Sequence, residues 1–368
     1  MKKIAVLSSG RADYSIYLPL LRFLENSKEF ELTIIAFGSH TSHYHGYSVD
    51  KIYKDGFKNI ISIDALLSDD KKDSIAISMG ITLIRFAEIW KDSNFDLVVS
   101  IGDRYEMFAA VSSVIPFNIK VAHFHGGEKT LGAIDNSFRH SISSLSDIHF
   151  TTCEAHKNRV EEIVEKEDKH NVFNIGSLSL QNLNNIKLLS KKDFLEKFNY
   201  DFTKPTILFT YHPETKDLSK NEGNLNNILD VFDKIEENIL ITLPNNDSMG
   251  AFIRERLLEY ENNNNRVKTF DFLGTQGYFS AMHHCVFMMG NSSSGIIEAA
   301  SFGCNVLNIG NRQKGRLCSG NILHCSPSKD DILREIINIK KLSPYDKENI
   351  YYQEDSIEKF ITIIKEYI

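Results

Sequence analysis

IAVLSSGRADYS, residues 4–15, decides the fold. Ile4 to Leu7 form a short apolar run that reads as a buried strand, and the next apolar-periodic stretch, 17–25, reads as a helix. A strand passing into a helix through a short polar turn is the repeating unit of a parallel, doubly wound α/β sheet, and that turn is a common ligand site. The turn fits neither G-x-G-x-x-G nor G-x-x-x-x-G-K-[ST]. Arg11 and Asp13 therefore stand at a candidate binding position without a nucleotide fingerprint to explain them.

The same rhythm continues outward. Strand-like runs follow at 32–37, 97–101, 121–124, 148–151 and 172–175, with amphipathic stretches at 74–91, 105–114, 137–145 and 155–165 between them. A second series repeats it, with strands at 206–211, 239–243, 267–271, 286–289 and 306–309 and helices near 225–236, 251–261, 278–283 and 296–301. Apolar strands alternating with helices argue for parallel sheets covered on both faces. A chain of 368 residues exceeds one ordinary core. Two Rossmann-like domains are expected, 1–180 and 181–368, with a boundary in the polar stretch 177–204. The tail 330–368 has helical periodicity, and its last helix is placed as one able to pack back on the first domain.

Composition excludes some functions. A formal net charge of −7 argues against broad nucleic-acid binding. The five cysteines, Cys153, Cys285, Cys304, Cys318 and Cys325, include no C-x-x-C and read as reduced thiols. The four-residue apolar run after Met1-Lys2-Lys3 is short of the roughly 7–15 residues of a secretory core. No window approaches the roughly 18 apolar residues of a membrane span. A cytoplasmic protein without membrane or nucleic-acid partners is the expectation.

Polar clusters follow the strands. SIGDRYE, residues 100–106, offers Asp103 and Arg104, either for a sugar and a phosphate or as a helix-capping ion pair. AHFHGGEKTLGAIDNSFRH, 122–140, packs His123, His125, Glu128, Asp135, Arg139 and His140 around Gly126-Gly127, a density of titratable groups that marks a functional loop. FTYHPE, 209–214, ends a strand on His212. GNSSSGIIEAASFG, 290–303, runs from a strand through Ser292 and Ser293 into a helix. Its free N–H groups and dipole suit phosphate, and Glu298 suits ribose hydroxyls. Arg312 follows the next strand. His40, His43 and His45, and His123-x-His125, lack a structural-zinc pattern. No metal or other cofactor is expected.

Taken in order, SSGRADY, IGDRYE, H-x-H-G-G-E with A-I-D-N-S-x-R-H, H-P-E, LPNNDSMG and GNSSSG-x-x-E resemble the hydrolysing UDP-N-acetylglucosamine 2-epimerases, similar to the bacterial sialic-acid-pathway enzymes and to the epimerase half of the bifunctional animal enzyme. The motifs run from residue 8 to residue 316. The resemblance implies a GT-B-like fold with the active site between two Rossmann-like domains. Arg11, Ser15, Arg104, Asn245, Ser292, Ser293, Glu298 and Arg312 would bind the nucleotide sugar. Asp103, His125, Glu128, Asp135 and His212 would carry the chemistry.

The implied reaction removes the C2 proton, expels UDP from C1 to leave a 2-acetamidoglycal, and adds water back with inversion at C2. The products are N-acetylmannosamine and UDP. In one branch of the family an acid stands where His125 stands here, so the C2 base is open between His125 and Glu128. A sister reaction on a UDP- or GDP-linked 2,4-diacetamido-trideoxy sugar or on GDP-N-acetylglucosamine, on the way to legionaminic acid, is the alternative within the family. A GT-B glycosyltransferase and a nucleotide-sugar sensor are alternatives outside it. A homodimer or homotetramer is the implied assembly.

Overall fold

The computed structural model describes the chain from Met1 to Ile368 except residues 44–46, 68, 70, 132–134, 215–216 and 245–248. Contacts divide it into two compact units. One comprises Met1–Glu128, Ile134–Asn184 and Tyr351–Ile368, and the other Lys129–Ala133 and Asn185–Ile350.

The first unit runs β1 (Lys2–Ser8), α1 (Arg11–Glu25), β2 (Phe30–Ala36), α2 (Val49–Lys54), β3 (Ile60–Ser62), α3 (Lys72–Asp92), β4 (Leu97–Ile101), α4 (Tyr105–Val114), β5 (Lys120–Phe124), α5 (Asp135–Ser144), β6 (Ile148–Thr151), α6 (Glu154–Glu161), β7 (Val172–Asn174) and α7 (Leu178–Asn185). Its seven strands are parallel in the order β3-β2-β1-β4-β5-β6-β7. β4 and β6 are buried along their whole length, as strands covered on both faces are. Trp90 on α3 is buried and donates its Nε1–H to Ser113 Oγ at 2.7 Å.

The second unit begins with α8 (Lys191–Phe198) and continues β8 (Thr206–Thr210), α9 (Asn221–Phe232), β9 (Asn238–Thr242), α10 (Gly250–Asn262), β10 (Val267–Phe270), α11 (Gly274–His284), β11 (Phe287–Gly290), α12 (Ser293–Ile297), β12 (Val306–Ile309), β13 (Ile322–Cys325) and α13 (Lys329–Ile339). Its sheet is also parallel, ordered β10-β9-β8-β11-β12-β13. The chain then supplies α14 (Ser356–Tyr367) to the first unit, where Phe360 packs on Phe124 and Phe150 with ring centroids 5.2 and 4.9 Å apart. The α/β fold read from the sequence is the fold observed, and no described helix is long and apolar enough to cross a membrane.

Three local readings change. The stretch 177–204, read only as holding the domain boundary, folds as α7 and α8. Ser190 and Asp193 form a reciprocal capping box ahead of buried Phe194, a signal its Asn and Lys content obscures. β3 and β13 are edge strands of only three and four residues, too short to stand out in the sequence. The helix placed at 296–301 is α12, a single turn from Ser293, followed by a 3₁₀ turn to Phe302.

In each sheet the strand order reverses beside the first strand of the unit, between β1 and β4 and between β8 and β11. Ligands of open α/β sheets bind at such points. At the second, the strand ends are pulled tight. A Cβ on Gly290 would lie 2.0 Å from the carbonyl oxygen of Thr210, and its φ of +129° is one that side chains disfavour. The buried side chain of Asn291 completes the closure. Its Oδ1 accepts from the His212 N–H at 2.7 Å, and its Nδ2 donates to the His212 carbonyl at 2.8 Å. Asn291→Ala leaves two buried backbone groups unsatisfied, at roughly 1–3 kcal/mol each. Urea unfolding should therefore show a loss of about 2–6 kcal/mol; a loss below about 0.5 kcal/mol would show that the bonds add nothing.

Four histidines of the first unit are buried in ways that disfavour charge. Burial lowers His123 to about 3, and His40, His149 and His156 to about 4 each, from 6.5. Because the folded values are depressed, the unfolded chain takes up protons first as pH falls through 6.5. Stability is then lost down to about pH 4, at roughly 1.4 kcal/mol per pH unit for each group. His149 is the cleanest test, since neither ring nitrogen has a hydrogen-bond partner among the described residues. His149→Leu should lower the pH slope of stability between pH 6 and 4.5 by about that amount for one group. An unchanged slope would remove His149 from the account.

Candidate functional site

The chain turns from β1 into α1 through Ser9 and Gly10. Asp13, the third residue of α1, reaches back and accepts from the Ser9 N–H at 2.9 Å and the Ser9 hydroxyl at 2.6 Å. The aspartate is thus the internal brace of the turn, and burial raises its carboxyl above the usual range despite those bonds and the nearby Arg104. Arg11 makes no side-chain hydrogen bond or ion pair among the described residues and stays half-buried at the head of α1. Ser15, also half-buried, lies one turn further along the same helix face.

The neighbouring turn, after β4, carries Gly102, Asp103 and Arg104. Arg104 Nε lies 3.5 Å from Oε2 of the buried Glu106, so buried acids of both turns, Asp13 and Glu106, converge on one guanidinium. His123 on β5 fixes this turn from below: its Nε2 is 2.9 Å from the Gly102 carbonyl, and its Nδ1 is 3.0 Å from Ser143 Oγ of α5. A carbonyl only accepts, so Nε2 carries the proton and Nδ1 accepts.

The loop after β5 holds the densest group. His125 takes φ +63°, left-handed for a side-chain-bearing residue, with its N–H donated to the Phe150 carbonyl at 3.0 Å. The two glycines that follow let the loop pass against α6: a Cβ on Gly127 would sit 2.3 Å from the His156 carbonyl oxygen. This places His125 Nδ1 2.8 Å from Glu128 Oε1. Arg139, four residues into α5 after Asp135, is ion-paired with Asp103, lies 3.5 Å from Glu128 Oε2, and donates to the His125 carbonyl at 2.8 Å. His125 is 5% exposed and its Nε2 has no hydrogen-bond partner among the described residues. The arrangement is an imidazole oriented by a carboxylate through one nitrogen, with the other left to exchange a proton. Asp135 opens α5, half-buried, on the same helix face as Arg139.

In the second unit, Asn291 brings the candidates together. Besides holding the His212 backbone, its carbonyl accepts from Arg312 Nη1 at 3.0 Å and from Gln313 Nε2 at 2.8 Å. Ser292 caps α12 by accepting from the Ser294 N–H at 3.3 Å, and Ser293 is the first residue of the helix. A single turn carries little dipole, so any anion here would depend on local N–H groups. Glu298 is buried at the end of α12. Burial pushes the Tyr278 hydroxyl on α11 up to about 12, and Ser292 and Ser294 hydrogen-bond to it. Asn245 lies outside the described residues.

Sequence reading left out Glu106, Asn291 and Gln313, and noted Arg139 only as part of a dense loop. Each is buried and polar, and only its partners reveal what it holds. Among the metal candidates, His40 has both nitrogens occupied, by Ser8 Oγ at 2.9 Å and Ser48 Oγ at 2.8 Å. His45 lies outside the described residues, and no group of three metal-binding side chains occurs among the described ones.

The sequence matches the family described as UDP-N-acetylglucosamine 2-epimerase over residues 22–365. It is 39% identical over 324 residues to a Campylobacter jejuni GDP/UDP-N,N'-diacetylbacillosamine 2-epimerase (hydrolyzing), covering 88% of this chain and 84% of that protein. It is 33% identical to the Legionella pneumophila UDP-N,N'-diacetylbacillosamine 2-epimerase (hydrolyzing), covering 93% and 90%. Its fold is similar to that of the Neisseria meningitidis UDP-GlcNAc 2-epimerase bound to UDP-GlcNAc, with a TM-score of 0.80 at 17% identity over the whole of both chains. The α/β architecture is the GT-B-like one that the motif order implies, and the chain belongs to the UDP-N-acetylglucosamine 2-epimerase family as an enzyme of the hydrolysing 2-epimerase kind.

Proposed function

We propose that this enzyme hydrolyses and 2-epimerises a nucleoside-diphosphate-linked 2,4-diacetamido-trideoxy sugar, releasing the free sugar and UDP or GDP. The observation that carries the chemistry is the His125–Glu128 pair: a buried imidazole with one nitrogen bound to a carboxylate and the other unpartnered among the described residues. The substrate choice rests on relatives. The two named for diacetylbacillosamine are 39% and 33% identical, while a Neisseria meningitidis UDP-N-acetylglucosamine 2-epimerase is 26% identical over 367 residues. The simpler substrate, UDP-N-acetylglucosamine giving N-acetylmannosamine, is the second reading, favoured by the family description.

In the first step His125 Nε2 takes the proton from C2. The C2–H electron pair becomes the C1–C2 double bond, and the C1–O bond breaks with its electrons leaving on the diphosphate. Water then adds at C1 and a proton returns to C2 from the opposite face, so substrate plus water gives nucleoside diphosphate plus inverted sugar. Glu128 orients the base. Asp103 and Asp135 are assigned to the sugar hydroxyls and the returning proton, and His212 to the departing diphosphate. Arg11, Ser15, Arg104, Ser292, Ser293 and Arg312 stabilise charge developing on the diphosphate, and Asn245 and Glu298 hold the nucleoside.

Incubation with UDP- and GDP-linked 2,4-diacetamido-trideoxy sugars and with UDP-N-acetylglucosamine in deuterated water, followed by NMR, tests this reading. The diacetamido substrate should give the higher kcat/KM, with deuterium at C2 of the free product. Preferred turnover of UDP-N-acetylglucosamine would select the second reading, and product that retains its original C2 hydrogen would overturn the mechanism. His125→Asn should lower kcat by roughly 10²–10⁴ while UDP affinity stays within a few-fold.

A further inference from the structure

We propose that Arg139 is the positioning residue on which the proton-transfer geometry depends: a single buried guanidinium that holds Asp103, Glu128 and the backbone of His125 in one arrangement. The inference rests on the reading of His125 as the C2 base. Arg139 is 2% exposed and comes from α5, while Asp103 follows β4 and His125 and Glu128 follow β5. Its Nη2 pairs with Asp103 Oδ2, and its Nη1 donates to the His125 carbonyl at 2.8 Å and lies 3.5 Å from Glu128 Oε2. Three chain segments thus meet at one planar group. A lysine ammonium, a single point of charge, cannot span the same partners in fixed directions.

His125 sits at a left-handed φ of +63°, and its carbonyl is the atom Arg139 grips. Such a conformation persists only where surrounding contacts over-determine it. The Arg139 bond on one side of the residue and the Phe150 carbonyl on the other supply that constraint. The formal charges of Asp103, Glu128 and Arg139 sum to −1, so a proton arriving on His125 brings the group to neutrality instead of creating a buried net cation. The other titratable or charged groups around it are His123 on β5, Asp135 on α5, and Cys153, His156 and Arg159 at and on α6. Of these, Arg159 is bonded to the Gly127 carbonyl and His156 to Thr152 at 2.8 Å. None of them reaches all three partners of Arg139.

A purely structural arginine, pinning α5 to the sheet, would affect folding without responding to added cation. Arg139→Ala, Arg139→Gln and Arg139→Lys should therefore be compared in the full chain, with UDP binding by calorimetry and turnover of the UDP-linked 2,4-diacetamido-trideoxy sugar. The Ala variant should lose roughly 10²–10⁴ in kcat with UDP affinity within a few-fold. Millimolar guanidinium chloride should restore activity by roughly tenfold or more, whereas equal sodium chloride or urea should not. The Lys variant should recover only a minor part. If the Ala variant does not fold, Arg139→Gln, which retains a donor toward the His125 carbonyl, carries the same comparison. Wild-type kcat in either variant, or full activity with lysine, overturns the proposal, as does rescue by sodium chloride as effective as by guanidinium. Glu128→Gln and His125→Asn separate the two levels. Wild-type turnover there would sink the base assignment itself, whereas loss there with unimpaired Arg139 variants would sink only the role of Arg139.

Discussion

A parallel sheet that grows outward in both directions from its first strand must leave a crevice where the two directions part, because the helices on either side cross to opposite faces. This chain builds that arrangement twice, between β1 and β4 and between β8 and β11. Nearly every candidate residue follows from it. Arg11 and Ser15 come after β1, Asp103 and Arg104 after β4, His212 after β8, and Ser292 and Ser293 after β11. His125 and Glu128 come one strand further out in the first sheet, and Arg312 one strand further out in the second.

What keeps these crevices in shape is a small set of buried polar groups. Asp13 braces the first turn through Ser9, His123 braces the second through Gly102, and Asn291 joins the ends of β8 and β11 by a reciprocal pair of bonds. Buried polar groups are costly unless satisfied, so these networks specify one geometry more sharply than apolar packing would. The glycines serve the same end. Gly127 and Gly290 stand where another backbone comes too close for a Cβ, and they let functional loops lie directly on neighbouring elements.

Much of the site was legible because its residues occupy fixed offsets from strand ends. A strand rich in apolar residues, then a polar turn, then a helix is a local signal, and Asp103, His125, Glu128, His212 and Ser292 can each be located from it. Arg139 was visible only as one member of a dense loop, and Asn291 and Glu106 lay within quoted motifs without being singled out. In sequence they look like ordinary polar residues near helix starts, and their importance comes from which distant carbonyl or charge they meet. In the polar stretch 177–204, read only as holding the domain boundary, composition hid a helix that a capping box and buried Phe194 build.

The sequence alone determined the α/β class, the order of the motifs and the set of candidate side chains at the strand ends, because periodicity and strand-end position are local properties. Only the tertiary structure decided how the acids and bases are divided. Glu128 takes one nitrogen of His125, Arg139 ties Asp103 and Glu128 into one group, and Asp13 is spent on its own turn. The Arg139 contacts join positions 11 to 36 residues apart: Glu128, the His125 carbonyl and Asp103. Such contacts are set by how neighbouring strands and helices pack, and no local pattern encodes them.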